Sequence, residues 1–407
     1  MRPFDGRRVI LGVTGGIACY KAVTLARLLT QAGAVVDVIL SRAAREFVGP
    51  ITFEAVTGRP VAPAILDAGH ALAHIRLAKE AELVIVAPAT ADLLARAGQG
   101  RADDQLTAVL LATRAPVLVA PAMNDGMWAH ALVRRNVQVL RELGHNVLDP
   151  DTGPLAFGEG VGPGRMCEPE EILAHAGRLL ETARGLAGRH IVVTAGPTRE
   201  ALDPVRYITN HSSGRMGVAI ANAAWRRGAA VTLVHGPLEV PLPWGGDAIA
   251  VTSTTEMRDA VAAALPAADA LVMAAAPADF RPTAVEPHKI KKGDTAPVIA
   301  LEHTEDILAS TRAFRRPGAV IMGFALETTS VEQHAMSKLH RKGLDFIVAN
   351  DATEEGAGFG TDTNRVVILD AAGGREVTPV LPKSVLADLL LDRVSRLLEA
   401  RHGGGTA

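Results

Sequence analysis

Short apolar runs alternate with amphipathic stretches along the chain, and each run ends in small or polar residues. In the first half these runs cover 8–14, 35–40, 83–87 and 117–120, with a fifth candidate at 146–148. Continuous apolar runs separated by helices and short loops are typical of buried parallel strands. The pattern therefore predicts a doubly wound α/β sheet whose polar loop residues gather at one edge.

The second half repeats this plan, with apolar runs at 190–194, 270–274, 321–325 and 346–350, a flexible glycine-rich loop at 356–360 and a long final helix from Pro382. The core face of this helix is expected at Val385, Leu386, Leu389, Leu390, Val394, Leu397 and Leu398. The pattern predicts a helix over 172–184, and the segment 185–188, with Gly185 and Gly188 at its ends, is interpreted as a linker between the halves. We therefore predict two three-layer α/β domains with mainly parallel sheets. Their limits are 1–184 for the first domain, 185–188 for the linker, 189–402 for the second domain and 403–407 for a tail.

Composition narrows the class of protein. Of the 407 residues, 48% are apolar and 21% charged, which supports two packed cores. The net charge of −2 gives no nucleic-acid signature, and no apolar run reaches the roughly 20 residues of a spanning helix. Cys19 and Cys167 are too few for a disulfide framework or a thiolate metal site. We expect a cytoplasmic protein without nucleic-acid or membrane partners.

Two strand ends resemble phosphate sites. Gly15 and Gly16 follow the first strand and precede a helix, which is the geometry that seats a phosphate on backbone N–H groups. The segment is neither a dinucleotide GxGxxG nor a P-loop, so a mononucleotide is favoured over NAD. Ser212, Ser213 and Gly214 precede a helix in the second half in the same way. Any tight strand-to-helix turn also favours glycine.

Candidate chemistry follows the fourth strand. In the segment 121–128, Asn124 offers a donor and an acceptor without charge, beside two methionines and Trp128. The residues alone fit both a ligand site and a turn in which Asn124 caps a helix. His74, just before the third strand, fits a helix end or the surface as well as a catalytic role.

These segments together resemble a known family. The run from His74 through 88–93 to 121–128 resembles the flavin-dependent cysteine decarboxylases. With the polar segment 195–217, residues 5–400 resemble the bifunctional phosphopantothenoylcysteine decarboxylase/phosphopantothenate–cysteine ligases of coenzyme A synthesis. The resemblance implies a flavoprotein domain followed by a Rossmann-like ligase domain.

For the first domain the resemblance implies FMN, which would oxidise the substrate before CO2 is lost and then reduce the product. It implies that His74 assists proton handling and that Asn124 binds the departing carboxylate. A neutral side chain suits that task, because a cation would stabilise the ground state. The implied FMN contacts are Gly15, Gly16, Ser41, Thr90, Ala122 and Met123.

One residue departs from the family pattern. Phe157 stands in the glycine-rich flap at 155–166, where the family has a cysteine taken to protonate an enethiol. Glu159, Cys167 or solvent could supply that proton, or the decarboxylase half could be impaired. The glycines of the segment suit a mobile lid.

For the second domain the resemblance implies condensation of 4'-phosphopantothenate with cysteine through an acyl-cytidylate. Asn210 would stabilise this intermediate, Arg206 would bind the substrate's phosphate or carboxylate, and Lys289 would be catalytic. The implied CTP contacts are Ser212, Asp279, Phe280, Lys289, Asp306, Ile307, Phe324, Lys338 and Lys342, with Asp279 as ligand of Mg2+. By themselves, Asp279 fits a helix cap, and Lys338 and Lys342 fit a solvated pair on one helix face.

The resemblance also implies a trimeric first domain, a dimeric second domain with a segment crossing between subunits, and a dodecamer by symmetry closure. A flavin-binding regulatory protein is the main alternative from another class, although Asn210, Asp279 and Lys289 together argue against it. An NAD(P)-linked reductase is a weaker alternative, since neither GxGxxG nor Tyr-x-x-x-Lys is present.

Overall fold

A computed structural model describes residues 3–292, 298–327, 331–351 and 360–402. The tail predicted at 403–407 lies outside these residues, as does all but Gly360 of a predicted loop at 356–360. The chain forms two compact units, Met1–Thr182 and Ala183–Ala407. Among the described residues no helix is long and apolar enough to cross a membrane.

The first unit is built on a parallel sheet in the order β2-β1-β3-β4-β5. Its strands are β1 (Arg8–Val13), β2 (Val35–Leu40), β3 (Leu83–Ala89), β4 (Val117–Pro121), β5 (Asn146–Val147), β6 (Asp151–Pro154) and β7 (Val161–Arg165). Its helices are α1 (Cys19–Gln31), α2 (Pro50–Thr57), α3 (Ala73–Glu80), α4 (Ala91–Gly98), α5 (Gln105–Ala112), α6 (Asp125–Ala129), α7 (Ala131–Glu142) and α8 (Pro169–Leu180). All five predicted strands of this half are present.

Helices cover both faces of this sheet, which makes the predicted three layers. Leu11 of β1 packs with α1 and α8 on one face, whereas Ile10 packs with α3, α4, α5 and α7 on the other. Neighbouring residues of a strand point to opposite faces, so a strand buried on both faces must be apolar throughout. β3 meets this condition along its whole length.

The second unit has an eight-stranded sheet in the order β12-β11-β8-β13-β16-β17-β19-β20, antiparallel only at β19 and β20. Its strands are β8 (His190–Ala195), β9 (Arg199–Ala201), β10 (Tyr207–Thr209), β11 (Ala230–His235), β12 (Asp247–Ala250), β13 (Ala270–Met273), β14 (Phe280–Pro282), β15 (Leu301–His303), β16 (Val320–Glu327), β17 (Phe346–Asp351), β18 (Thr363–Asn364), β19 (Val367–Asp370), β20 (Arg375–Val377) and β21 (Leu381–Pro382). Its helices are α9 (Arg215–Arg226), α10 (Thr254–Ala264), α11 (Ile307–Ser310), α12 (Val331–Lys342) and α13 (Lys383–His402). Helices α9 and α13 cover one face, and α10, α11 and α12 the other.

Two local predictions were wrong. The helix expected over 172–184 ends at Leu180, because the chain turns to extended backbone at Glu181. Val385 was expected on the core face of α13, but it is exposed, and Leu386, Leu390, Val394 and Leu398 form the buried stripe. Those four residues follow helical spacing along a single face, whereas Val385 lies beside that face.

Candidate functional site

The six predicted FMN contacts lie at one edge of the first sheet. Gly15 and Gly16 follow β1, Ser41 follows β2, Thr90 follows β3, and Ala122 and Met123 follow β4. These four strands are neighbours and run parallel, so their carboxyl ends open onto the same edge.

Hydrogen bonds between the loops hold this edge together. Thr14 donates its hydroxyl to the Pro88 carbonyl oxygen (2.7 Å) and accepts the Thr90 N–H (2.9 Å). A Cβ on Gly15 would lie 2.4 Å from the Cβ of Ala43, so only glycine allows the loop after β1 to pass this closely. Helix α1 begins at Cys19, and its N-cap residue Ala18 makes no side-chain hydrogen bond to the first turn. The N-terminal end of a helix favours an anion.

Asn124 caps a helix, as one interpretation of its segment predicts, and the ligand site stays a prediction. It is the N-cap of α6, and its Oδ1 accepts the N–H of Gly126 at 2.8 Å. This bond fixes the amide plane and leaves Nδ2 as a donor. The cap therefore presents an uncharged N–H group at the sheet edge, which is what binding a carboxylate requires.

The predicted flap is an antiparallel hairpin of β6 and β7. Its second strand lies against the segment after β4: the Met123 N–H donates to the Gly164 carbonyl oxygen (3.0 Å). A Cβ on Gly162 would lie 2.8 Å from Oδ2 of Asp125. Phe157, near the tip, is fully exposed. The hairpin base is thus fixed beside Asn124, while its tip extends into solvent.

Cys167 does not belong to the exposed part of the flap. It is 1% exposed, and its thiol donates to the Asp149 carbonyl oxygen at 3.1 Å. Burial raises the pKa of this thiol well above its ordinary value, and the nearby carboxylates Glu171 and Asp151 raise it further. In this conformation Cys167 has neither the access nor the acidity to replace the missing flap cysteine.

A cavity of about 790 Å³ lies next to Asn124. Its lining includes Met127 of α6, His130 at the start of α7, and Arg135 and Asn136 one turn later. Apolar and polar side chains thus surround one end of the predicted decarboxylation site. An elongated polar substrate could lie along this surface.

Two polar side chains at this edge have buried atoms without a hydrogen-bond partner among the described residues. They are His74 at Nδ1 and Gln105 at both its amide atoms. His74 lies in the first turn of α3 and Gln105 begins α5, and these two helices pack against each other. Buried polar groups are normally satisfied, so a ligand at this edge would remove the deficit.

In the second unit, a cavity of about 480 Å³ collects five predicted residues. Asn210 and Ser212 come from the loop before α9, Asp279 from the loop after β13, Phe324 from β16 and Lys338 from α12. The Asn210 side chain donates to the Pro277 carbonyl oxygen at 2.9 Å, which joins two of these loops. Its lining lies mainly at the carboxyl end of the parallel strands, where α/β sheets bind ligands.

A smaller cavity of about 160 Å³ shares Asp279 with the larger one and is lined by Asp306, Ile307 and Lys342. Lys342 forms an ion pair with Asp306 at 3.0 Å. The two lysines of α12 thus serve different cavities: Lys338 lines the larger and Lys342 the smaller. Asp279 is the carboxylate that borders both.

Three predicted residues line neither cavity. Phe280 stacks on His303 with ring centroids 4.9 Å apart and is half exposed. Arg206 donates to the Ile290 carbonyl oxygen at 3.2 Å, and Lys289 is the exposed residue immediately before Ile290. Arg206 and Lys289 therefore form a second group, separate from the residues around Asp279.

Several cavity residues were not predicted. Asn350, Asn364, Arg215 and Lys383 also line the larger cavity. Asn350 could have been found, since it is a polar residue at the carboxyl end of a parallel strand. No sequence pattern indicated a binding role for Lys383, because it begins a helix whose apolar residues indicate packing against the core. It is buried, and burial, with Arg215 nearby, lowers its pKa.

Comparisons with known proteins agree with this two-part organisation. Residues 2–180 match a family described as "Flavoprotein", and 186–398 match the "DNA/pantothenate metabolism flavoprotein C-terminal domain". "Coenzyme A biosynthesis bifunctional protein CoaBC" of Vibrio cholerae is 45% identical over 96% of this chain and 98% of its own. The protein of that name from Escherichia coli K12 is 44% identical over 96% of this chain and 97% of its own.

This chain belongs to that family. The match covers both halves, so the expectation of a bifunctional decarboxylase and ligase is confirmed. A regulatory flavin-binding protein is not favoured. A crystal structure of the C-terminal domain of a CoaBC protein is also similar, with 38% identity, a TM-score of 0.46 and coverage of 53% of this chain and 99% of that one.

Proposed function

We propose that the chain joins 4'-phosphopantothenate to cysteine with CTP and Mg2+ in its second unit. Its first unit, with FMN, then decarboxylates the product to 4'-phosphopantetheine. The observation that supports the nucleotide site best is the pair of cavities that meet at Asp279.

The sheet edge of the first unit fits FMN. Its loops bring together small residues and an uncapped helix start, which suit a phosphate. The unpartnered atoms of His74 and Gln105 offer hydrogen bonds to a polar ring edge. When bound, FMN would supply the oxidation and reduction of the substrate.

The chain's own residues would handle the carboxylate and the protons. Asn124 donates Nδ2 to the carboxylate that leaves as CO2, while its Oδ1 stays in the helix cap. Because the amide is neutral, it orients the carboxylate without adding a charge that opposes its loss. His74 moves a proton at the substrate's thiol side. With Phe157 at the flap, the last proton comes from solvent or from Glu159.

The first test is spectroscopic. The purified protein should be yellow with the absorption spectrum of FMN, and it should release CO2 from phosphopantothenoylcysteine. The variant Asn124→Ala should keep the flavin spectrum and lose turnover. A colourless protein, or full turnover by Asn124→Ala, would contradict the proposed site.

In the second unit the reaction is activation of a carboxylate followed by amide formation. The substrate carboxylate attacks the α-phosphorus of CTP and pyrophosphate leaves; the amine of cysteine then attacks the acyl carbon and CMP leaves. Lys338 and Lys342 offset charge on the phosphates from the two cavities. Asp279 supplies the carboxylate oxygen that Mg2+ prefers. Asn210 stabilises the activated acyl group.

Pyrophosphate release tests this half. The wild-type protein should release pyrophosphate only with CTP, Mg2+ and 4'-phosphopantothenate together. The variant Asp279→Asn should require much more Mg2+ for the same rate, since it loses a charged ligand. An unchanged Mg2+ dependence would refute the role of Asp279.

We also infer a trimeric first unit, a dimeric second unit and a dodecamer that satisfies both symmetries. Arg206 and Lys289 lie outside both cavities, which supports a site completed by a second copy. Light scattering on the purified protein should give twelve subunits. A monomer that is active in both reactions would exclude this assembly.

A further inference from the structure

Asp203 is a buried carboxylate to which neither the sequence nor the family resemblance assigned a role. Its side chain is fully buried, although it lies in an irregular segment between β9 and β10. A carboxylate in such a place requires several donors, because burial without partners is costly. The donors that it uses come from two segments far apart in the sequence.

One carboxylate oxygen of Asp203 stabilises the turn formed by the residues that follow it. Oδ1 accepts the N–H of Val205 at 2.7 Å and the N–H of Arg206 at 2.8 Å. This arrangement is the local turn that aspartate commonly makes with the residues that follow it. It fixes the backbone from which the Arg206 side chain leaves.

The other oxygen contacts the lysine segment, residues 286–290, which carries Lys289. Oδ2 accepts the N–H of Ile290 at 3.1 Å, and Nη1 of Arg206 lies 3.4 Å from the same oxygen. Arg206 completes the link by donating Nη2 to the Ile290 carbonyl oxygen. Both backbone polar groups of Ile290 are therefore held, and Lys289 is the residue next to it.

A second backbone bond supports the same contact. The N–H of Glu286 donates to the carbonyl oxygen of Leu202 at 3.0 Å. The segment 286–290 is thus attached to 202–206 at both ends.

Burial by itself would raise the pKa of Asp203, but its backbone N–H donors lower it below the ordinary value. The carboxylate is therefore ionised at neutral pH and accepts at both oxygens.

We propose that Asp203 is the positioning residue of the ligase, which joins Arg206 and the Lys289 segment into one unit. It contacts no reacting atom in this role. Its effect is to reduce the freedom of the lysine segment, so that Lys289 and Arg206 keep a constant geometry relative to each other and to the reacting acyl group. This inference rests on the proposed ligase function and on the catalytic role that the family resemblance implies for Lys289.

Two variants distinguish the contact of Asp203 with Ile290 from its hydrogen bonds within the local turn. Asp203→Asn removes the charge and places an N–H donor against backbone donors. Asp203→Ser keeps an oxygen that can accept from the local turn but is too short to reach Ile290. Both variants should lower kcat for CTP-dependent pyrophosphate release by about 100-fold, the cost of misplacing a reacting group by roughly 1 Å. KM for CTP should change less than twofold, because the two cavities are untouched.

Asp269 provides the matched control. It is also a buried carboxylate that accepts a backbone N–H, from His190 at 2.9 Å, and pairs with Arg316 at 2.9 Å. It lies just before β13, at the opposite edge of the sheet from the cavities. Asp269→Asn should lower thermal stability and leave kcat within about twofold.

A measurement independent of activity accompanies the kinetics. Trypsin should cut the full-length Asp203→Ser protein after Lys289, Lys291 or Lys292 faster than wild type, and Asp269→Asn at the wild-type rate. The proposal is overturned if Asp203→Ser keeps its kcat, if both aspartate positions lose kcat equally, or if cleavage after these lysines is unchanged. If the wild-type protein releases no pyrophosphate, the proposed function fails, and proteolysis still tests the link.

Discussion

The contact between the flap and the decarboxylation loop can be tested at Gly164. A Cβ at this position would lie 2.2 Å from the carbonyl oxygen of Met123, closer than the 3.0 Å below which real Cβ contacts essentially do not occur. Neither atom belongs to a flexible side chain, so Gly164→Ala must push two backbone segments apart. This movement breaks the hydrogen bond from Met123 to Gly164 and displaces Asn124, the next residue.

Gly164→Ala should lower both the stability of the first unit and its decarboxylation rate. Overpacking of this kind costs about 1–3 kcal/mol, which lowers the Tm of the first unit by several degrees. A displacement of roughly 1 Å at Asn124 should reduce kcat for decarboxylation by about 100-fold. Thermal unfolding followed by flavin fluorescence, and CO2 release, measure the two effects separately.

Gly49→Ala is the control for the loss of a glycine. Gly49 has a φ of −72°, and the nearest atom to its added Cβ is 4.0 Å away. Its cost should stay below about 1 kcal/mol, with kcat unchanged. If Gly164→Ala behaves like Gly49→Ala in both assays, the inferred support of Asn124 by the flap is wrong.

Three further predictions concern other residues. Lys342→Ala should raise KM for CTP about tenfold, because it removes a charge-assisted contact to phosphate, whereas Lys291→Ala should not. Cys167→Ala should keep decarboxylation within about twofold, and in the wild-type protein this thiol should react with iodoacetamide only after unfolding. Because the pKa of Cys167 is raised, the unfolded chain ionises first, so this group should lower stability as pH rises above the ordinary thiol pKa. Phe157→Cys should raise the decarboxylation rate at least about tenfold, because a flap that closes over the substrate would bring the new thiol to the site as a proton donor.

Each of these predictions has an outcome that contradicts it. Equal KM values for Lys342→Ala and Lys291→Ala would show that the smaller cavity does not bind phosphate. Rapid labelling of Cys167 in the folded protein would exclude its burial. If Phe157→Ser is as fast as Phe157→Cys, the gain does not come from the thiol, and proton supply at the flap does not limit the rate.

The strands that were predicted, β1–β5, β8, β13, β16 and β17, were predictable because their signal is local. A strand such as β3 is buried on both faces, so its sequence must be a continuous apolar run, whatever its neighbours are. The predicted sites at strand ends followed from the same rule, which brings parallel strand ends to one edge. The hairpin of β6 and β7 was not predicted as strands, because its glycine-rich sequence has little strand preference. Packing of Gly162 and Gly164 against the segment after β4 forms it instead.

By itself the sequence determined two parallel α/β sheets and the polar residues at their carboxyl ends, since periodicity and loop composition act over a few neighbouring residues. Tertiary structure alone decided which of those residues act together. It assigned Lys338 and Lys342 to different cavities, grouped Arg206 with Lys289 through Asp203, and buried Cys167 away from the flap. These outcomes depend on contacts between segments distant in the chain, and no local pattern encodes such distances.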